Sequence, residues 1–196
     1  MAKLDEKEFS QSKRVSYSYQ SHYENNEKFS QYKTDIKTIC YYLPQFHTIP
    51  ENDKWWGKGF TEWINVLPAQ PRFARHYQPR LPHKDFGTYD LSDVNSFKKQ
   101  VELALQHGIY GFCFYYYWFS GKKLLETPIE NLLKHKEIDM PFCVCWANEN
   151  WTKTWSGEEK DVLMKQKYKK NDALKFIQDI KHILKDVRYI KTVTSL

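Results

Sequence analysis

Glu62 and Glu149 are the carboxylates best placed for acid–base work, each in a loop crowded with indole rings and amides. Making or breaking a glycosidic bond uses two carboxyl groups, one as acid and one as base or nucleophile. The stretch around the second, WANENWTKTW from Trp146 to Trp155, interleaves flat apolar rings with Asn148, Glu149 and Asn150. A sugar offers patches of C–H to aromatic faces and hydroxyls to amides and carboxylates, so Trp151 between such groups meets both needs. A loop glutamate beside Trp and Asn is more often a hydroxyl acceptor or a structural hydrogen-bonder than a catalyst. His47, between Phe46 and Thr48 at a strand end, reads as a ligand contact. Nucleic-acid bases would also stack on Trp and Tyr, but such a site interleaves Arg and Lys for phosphate, and these loops carry few. A glycan or sugar is the expected partner, and a nucleic acid is not.

Elements in strand–helix order must position these groups. A first strand spans about Lys37–Leu43. A loop from Gln45 to Trp63 follows, dense in Trp55, Trp56, Phe60 and Trp63, which carry too much apolar area to leave in water. It reads as one wall of a sugar-binding cleft. Residues 67–87 hold four prolines and stay irregular. Asp90 or Ser92 should cap a helix with Val94, Phe97, Val101, Ala104 and Leu105 on one face, closed by Gly108. Ile109–Phe119 is a continuous apolar run, the pattern of a strand buried on both faces. Strand alternation must divide Tyr115, Tyr116, Tyr117 and Trp118 between core and cleft, and Tyr116 is assigned to the cleft. Thr127-Pro128-Ile129-Glu130 reads as a capping box opening a helix over roughly Pro128–Lys136. Pro141–Trp146 is a third strand, Ala147–Gly157 its following loop, and Asn171–Leu184 a helix with Ala173, Ile177, Ile180 and Leu184 aligned. Arg188–Val193 begins a further strand.

Such alternation implies an α/β protein with a parallel sheet and helices packed outside it. An open doubly wound sheet would place a Gly-rich phosphate turn after the first strand, where YYLPQFH has none. A (β/α)8 TIM-type barrel concentrates its functional loops after the carboxyl ends of its strands, where this chain gathers Trp, Tyr, His, Asn and Glu. A partial barrel of about the first three βα units is therefore expected over residues 37–196. Residues 1–36, nearly without aliphatic side chains, read as a polar tail or linker.

At 196 residues the chain can hold one domain with a real core. Its formal charge of +6 comes largely from lysine. The lysines thicken at Lys160, Lys165, Lys167, Lys169 and Lys170, which reads as a solvated face rather than a nucleic-acid stripe. Cys40, Cys113, Cys143 and Cys145 each sit in an apolar run and read as small core side chains. No metal is expected: Cys143 and Cys145 are spaced too closely for a structural zinc site, and His76, His83 and Asp85 lie unspecifically among prolines. No cofactor is expected either. With no secretory leader legible in the first 33 residues and no apolar run long enough to span a bilayer, a cytoplasmic setting is expected.

Four ordered blocks, YYLPQFHTIPENDKWWGKGFTEW, HYQPRLP, GFCFYYYWFSGKKLLETP and PFCVCWANENWTKTW, together resemble the WbsX-like group of bacterial polysaccharide-biosynthesis proteins, over about Ile39 to Tyr189. That group is related to the family 99 glycoside hydrolases, the endo-α-mannosidases. The resemblance implies a (β/α)8 barrel, metal-free action on glycosidic bonds by transfer or retaining hydrolysis, and a place in O-antigen or other lipopolysaccharide assembly. It also implies that Tyr42, Trp56, Trp118 and Trp146 are subsite walls. The family's acid–base pair belongs to a later Trp-Asn-Glu-Trp-type segment, to which Asn148–Trp151 bears only a superficial likeness. A truncated member is thus expected, with further domains of the same polypeptide in longer relatives and the catalytic pair missing; a non-catalytic glycan-binding module or inactive fragment is the alternative.

Overall fold

The computed structural model describes residues 35–153 and 158–191. The expected polar tail, apart from Asp35 and Ile36, and residues 192–193 of the expected last strand lie outside the described residues. In chain order the elements are β1 (Thr38–Tyr42), α1 (Pro50–Trp56), α2 (Trp63–Val66), α3 (Val94–Gln106), β2 (Ile109–Phe119), β3 (Lys122–Leu124), α4 (Thr127–Lys134), β4 (Phe142–Trp146), β5 (Trp151–Lys153), β6 (Glu158–Met164) and α5 (Asp172–Leu184). They form two compact units, residues 46–90 and residues 35–45 with 91–191.

The larger unit is an α/β sheet centred on β2. Strand β1 pairs with it in parallel, Cys40 opposite Phe112 and Tyr42 opposite Phe114. Strand β4 pairs in parallel on the other side, Phe112 opposite Phe142 and Tyr116 opposite Trp146. Tyr189 then bridges to Phe142 in parallel, with Ile190 N–H donating to the Phe142 carbonyl at 2.7 Å. Parallel order thus follows chain order through four neighbours, with α3, α4 and α5 as the successive connections. Among the described residues these strands do not close into a barrel.

β2 runs over Ile109–Phe119, as its sequence implies, but its burial is one-sided. Phe112, Phe114, Tyr116 and Trp118 are buried, whereas Cys113, Tyr115 and Tyr117 are half-buried. Phe97 and Val101 of α3, Ile129 and Leu132 of α4, and Ile180 and Ile183 of α5 share one cluster with the even-numbered β2 residues. All three connecting helices therefore cover the same face. The opposite face holds Tyr41, 70 % exposed, and Tyr115 packed against it at 5.6 Å. Cys113 and Cys143 are cross-strand partners on that face; burial first, then the neighbouring Cys143 and Cys145, push the Cys113 thiol up to about 12. All four cysteines are free and half-buried rather than deep in the core.

Several local expectations are corrected. Asp93, not Asp90 or Ser92, caps α3, accepting from Asn95 N–H at 3.0 Å and Ser96 N–H at 3.2 Å. Leu105 is 45 % exposed and leaves the helix's packed stripe. The capping box at α4 does not form: Thr127 is the first helical residue and no side chain caps it. Glu130 instead lies 3.5 Å from Lys123 and 3.4 Å from His182. On α5, Ala173 and Ile177 are exposed, and Phe176, Ile180 and Ile183 form the packed stripe. The loop after β4 folds into a β5–β6 hairpin, Trp151 opposite Met164.

In the smaller unit the long aromatic loop contains one helix and leads into a second. Pro50 starts α1, and Asp53 Oδ1 accepts from Gly59 N–H at 2.9 Å and Phe60 N–H at 3.2 Å, folding the chain back after Gly57. Trp63 packs against Phe46 at 4.7 Å and Tyr89 at 5.1 Å, its indole N–H donating to the Tyr89 carbonyl at 2.8 Å.

Gly111 is required where β2 meets β4. A Cβ there would lie 2.6 Å from the Pro141 carbonyl oxygen, a backbone atom that cannot swing aside. Gly111→Ala is expected to lower stability by about 1–3 kcal/mol, the range for overpacking a tight core. Thermal melts of the two proteins check it.

Candidate functional site

The carboxyl ends of the three parallel strands converge on one cleft of about 350 Å³. β1 supplies Gln45 from its following turn, β2 supplies Tyr117 and Phe119 from its last residues, and the connection after β4 supplies Ala147, Glu149, Asn150, Trp151 and Thr152. Crevices outside the carboxyl ends of parallel strands are where α/β sheets bind ligands, because each connection there can vary without disturbing the core.

Aromatic rings build the floor. Trp151 stacks on Tyr117 at 5.0 Å and 25°, and lies nearly parallel to Phe119 at 6.5 Å and 22°. Gln45 Nε2 donates to the Tyr117 hydroxyl at 3.0 Å. Gln45 Oε1 is thereby turned away from that hydroxyl. Asn150 is fixed more firmly: its Oδ1 accepts from Gln166 N–H at 2.7 Å. A backbone N–H can only donate, so this bond settles which end of the amide is oxygen. Asn150 therefore presents its NH2 group as donor, beside the acceptor Glu149. Among the described residues Glu149 is the one carboxylate lining the cleft.

The expected site residues divide into three groups. Glu149, Asn150 and Trp151 line the cleft, and Asn148 is next to them, exposed, its carbonyl accepting from the Tyr168 hydroxyl. Tyr42, Tyr116, Trp118 and Trp146 lie on the helix-covered face. Tyr42 stacks on Phe112 at 4.8 Å and donates to Gln100 at 2.6 Å. Trp118, fully buried, donates to Asp179 at 2.8 Å, and Trp146 stacks on Phe176 at 4.6 Å while donating to the Trp118 carbonyl at 3.1 Å. Tyr116 is buried, and its hydroxyl has no hydrogen-bond partner among the described residues. Burial first, then Glu130, Glu126 and Asp179, raise its pKa, so it stays protonated.

The third group, His47, Trp56, Glu62 and Trp63, belongs to the residue 46–90 unit. His47 and Trp63 are buried there, and Trp56 is half-buried and stacked on Phe60 at 5.7 Å. Glu62 precedes α2, and burial raises its carboxyl above the ordinary range. In the same unit His76 stacks on Phe73 at 4.4 Å, and His83 sits 3.3 Å from Asp85. Among the described residues no three His, Cys, Asp or Glu side chains gather to hold a metal ion, and no helix is long and apolar enough to cross a membrane.

Gln45, Tyr117, Phe119 and Thr152 line the cleft although their residue types alone did not single them out. The signal for Tyr117 was parity: the helix-facing apolar positions of β2 are even, so the odd positions are left to the other side.

The fold and cleft define an α/β protein with an aromatic-lined cleft at the carboxyl rim of its parallel strands. The model of the family described as Glycosyltransferase WbsX matches residues 38–195, and the chain belongs to that family. Two proteins from strains of Xanthomonas campestris pv. campestris, each named uncharacterized protein WxcX, are similar to it at 48 % identity over 153 residues. That match covers 78 % of this chain and 22 % of each relative, so the chain spans less than a quarter of their length. No solved structure matches the chain.

Proposed function

We propose that the chain belongs to a carbohydrate-active protein that processes glycosidic bonds during assembly of bacterial surface polysaccharide, O-antigen or lipopolysaccharide, with the rim cleft as a sugar subsite. The observation that carries this is the cleft's composition: a preset Trp151–Tyr117 stack flanked by the Asn150 donor and the Glu149 acceptor. Flat rings take the C–H face of a sugar, and the flanking groups take its hydroxyls.

A (β/α)8 architecture related to family 99 endo-α-mannosidases accounts for the sheet. Sequential parallel neighbours with every connecting helix on one face are what a barrel wall requires. Tyr41, Tyr115, Cys113, Cys143 and Cys145 would then face the barrel interior, and residues 46–90 would be an excursion from the first βα connection.

A glycan-holding role without catalysis by this chain alone is the second reading. Glycoside chemistry uses two carboxyls, and among the described residues the cleft has Glu149 only. Metal and cofactor have no part in either reading.

The test is a titration of the chain with neutral oligosaccharides by calorimetry, comparing wild type with Asn150→Asp. The aspartate can still accept from Gln166 N–H but offers no NH2 to a ligand. Affinity is expected to fall about fivefold to tenfold, the cost of one lost hydrogen bond in a binding site. Unchanged affinity in Asn150→Asp would remove Asn150 from the subsite, and no binding to any oligosaccharide would sink the sugar reading.

A further inference from the structure

The lysine-rich segment between β6 and α5 is not a free solvated strip. Gln166 N–H donates to Asn150 Oδ1 at 2.7 Å and Gln166 Nε2 to the Trp118 carbonyl at 3.0 Å. The Tyr168 hydroxyl donates to the Asn148 carbonyl, and the Lys167 carbonyl accepts from Ser120 Oγ at 3.1 Å. Four hydrogen bonds thus fasten residues 166–168 to the cleft wall and to the turn that ends β2.

This fixed segment carries Lys165, Lys167, Lys169 and Lys170, all exposed. Lys169 has the buried Asp172 beside it, whose carboxylate accepts from Lys169 N–H at 3.0 Å and from Ser120 Oγ at 2.9 Å. Lys165, Lys167 and Lys170 make no ion pair among the described residues. Three ammonium groups within six residues, without an ion pair among the described residues, repel one another, and an anion relieves that repulsion. The cleft lining itself holds no Lys or Arg. Charge is therefore segregated: a cleft suited to a neutral ring, and a basic rim tied to its wall.

We propose that residues 165–170 are the anion-binding rim of this cleft and take the phosphate or diphosphate of a phosphorylated sugar whose ring lies on Trp151. The proposal rests on the cleft being a sugar subsite. Phosphate rather than a uronic carboxylate is assigned because every cation of the rim is a lysine. Ammonium groups meet a compact polyanion as point charges, whereas a planar carboxylate is matched by the arginine fork, which the rim lacks.

Isothermal titration of the full chain with inorganic pyrophosphate, with hexoses, and with the corresponding hexose 1-phosphates tests it. The variant is Lys165→Gln, Lys167→Gln and Lys170→Gln together, with its melting temperature as the control for folding. Wild type is expected to bind pyrophosphate and to prefer each 1-phosphate to its hexose, both more weakly at higher salt. The triple variant should lose about tenfold in both, the scale of three exposed charge pairs, and bind hexose as before. Hexose binding with no gain from the 1-phosphate overturns the rim and leaves the sugar reading standing. Pyrophosphate binding that the triple substitution weakens, without hexose binding, keeps the rim and removes the sugar reading. Glucuronate bound as tightly as hexose 1-phosphate overturns the choice of phosphate. A nucleoside diphosphate hexose and a short-chain prenyl diphosphate hexose, as further arms, separate a soluble from a lipid-linked source.

Discussion

Replacing Arg188 with methionine is expected to lower stability by about 3–5 kcal/mol, the cost of stripping one partner from a buried ion pair. The guanidinium side chain is 7 % exposed and its partner Asp186 is 1 % exposed. Nε and Nη2 donate to the two Asp186 oxygens at 2.9 and 3.0 Å. The remaining donors close α4, with Nη2 reaching the Leu132 carbonyl at 2.7 Å and Nη1 the His135 and Ile138 carbonyls at 3.1 and 2.7 Å. One side chain thus satisfies the Leu132 carbonyl in the last turn of α4 and two carbonyls just beyond it, at His135 and Ile138, and neutralises a buried carboxylate. A small domain has only about 5–15 kcal/mol in total, so the loss is a large fraction of it.

Acid should reveal the same contact. Arg188 first, then Lys136, hold the Asp186 carboxyl well below the usual carboxylate range. A depressed folded-state pKa stabilises the fold above the unfolded value of about 4 and loses that contribution as pH falls through the folded one. Urea melts should therefore show the gap between wild type and Arg188→Met widest near neutrality and narrowing below about pH 4. Asp186→Asn combined with Arg188→Met should cost less than the sum of the two single changes. Additive losses would mean that the pair is not coupled.

The sequence reveals most where periodicity and length agree. Eleven consecutive apolar and aromatic residues bounded by Gly108 and Ser120 fit one long strand, and β2 has those limits. α5 shows where pattern alone is ambiguous. Ala173, Leu174, Phe176, Ile177, Ile180, Ile183 and Leu184 make an arc wide enough for two stripes sharing Ile180, and contact with Trp118 and Trp146 selects the one through Phe176. The β5–β6 hairpin was hidden because EEKDVLM is half charged and takes its strand form from pairing with Trp151–Lys153, not from propensity.

The site was legible as a place before it was legible as a set. Convergence of the post-strand segments follows from parallel topology, which the strand–helix order already implied. Which aromatic faces the cleft depends on a strand's parity, and a shift of one residue exchanges all of them. Expecting Tyr116 and Trp118 there, where the structure puts Tyr117 and Phe119, is that shift. Gln45 and Thr152 enter through the packing of their neighbours, for which a single sequence has no marker.

Trp151→Ala is expected to have the largest effect on ligand binding, about 2 kcal/mol or more, as for truncating a central tryptophan in an interface. That is about thirtyfold in dissociation constant. Two losses combine. In the proposed subsite the ring is the flat surface offered to a sugar, and its stack on Tyr117 holds both rings in place before binding, so little side-chain freedom is lost when a ligand arrives. Removing it also takes one stacking partner from Tyr117, which keeps its hydrogen bond from Gln45 and its contact with Tyr115. Trp151→Phe keeps a flat ring over Tyr117 and should recover most of the affinity, whereas Trp151→Leu restores bulk without a planar face and should not. Titration of the four proteins with one neutral oligosaccharide, alongside melting curves, separates stacking from mere filling of space. If leucine rescues as well as phenylalanine, the cleft holds its ligand by contact area alone, and the case for a sugar face on Trp151 fails.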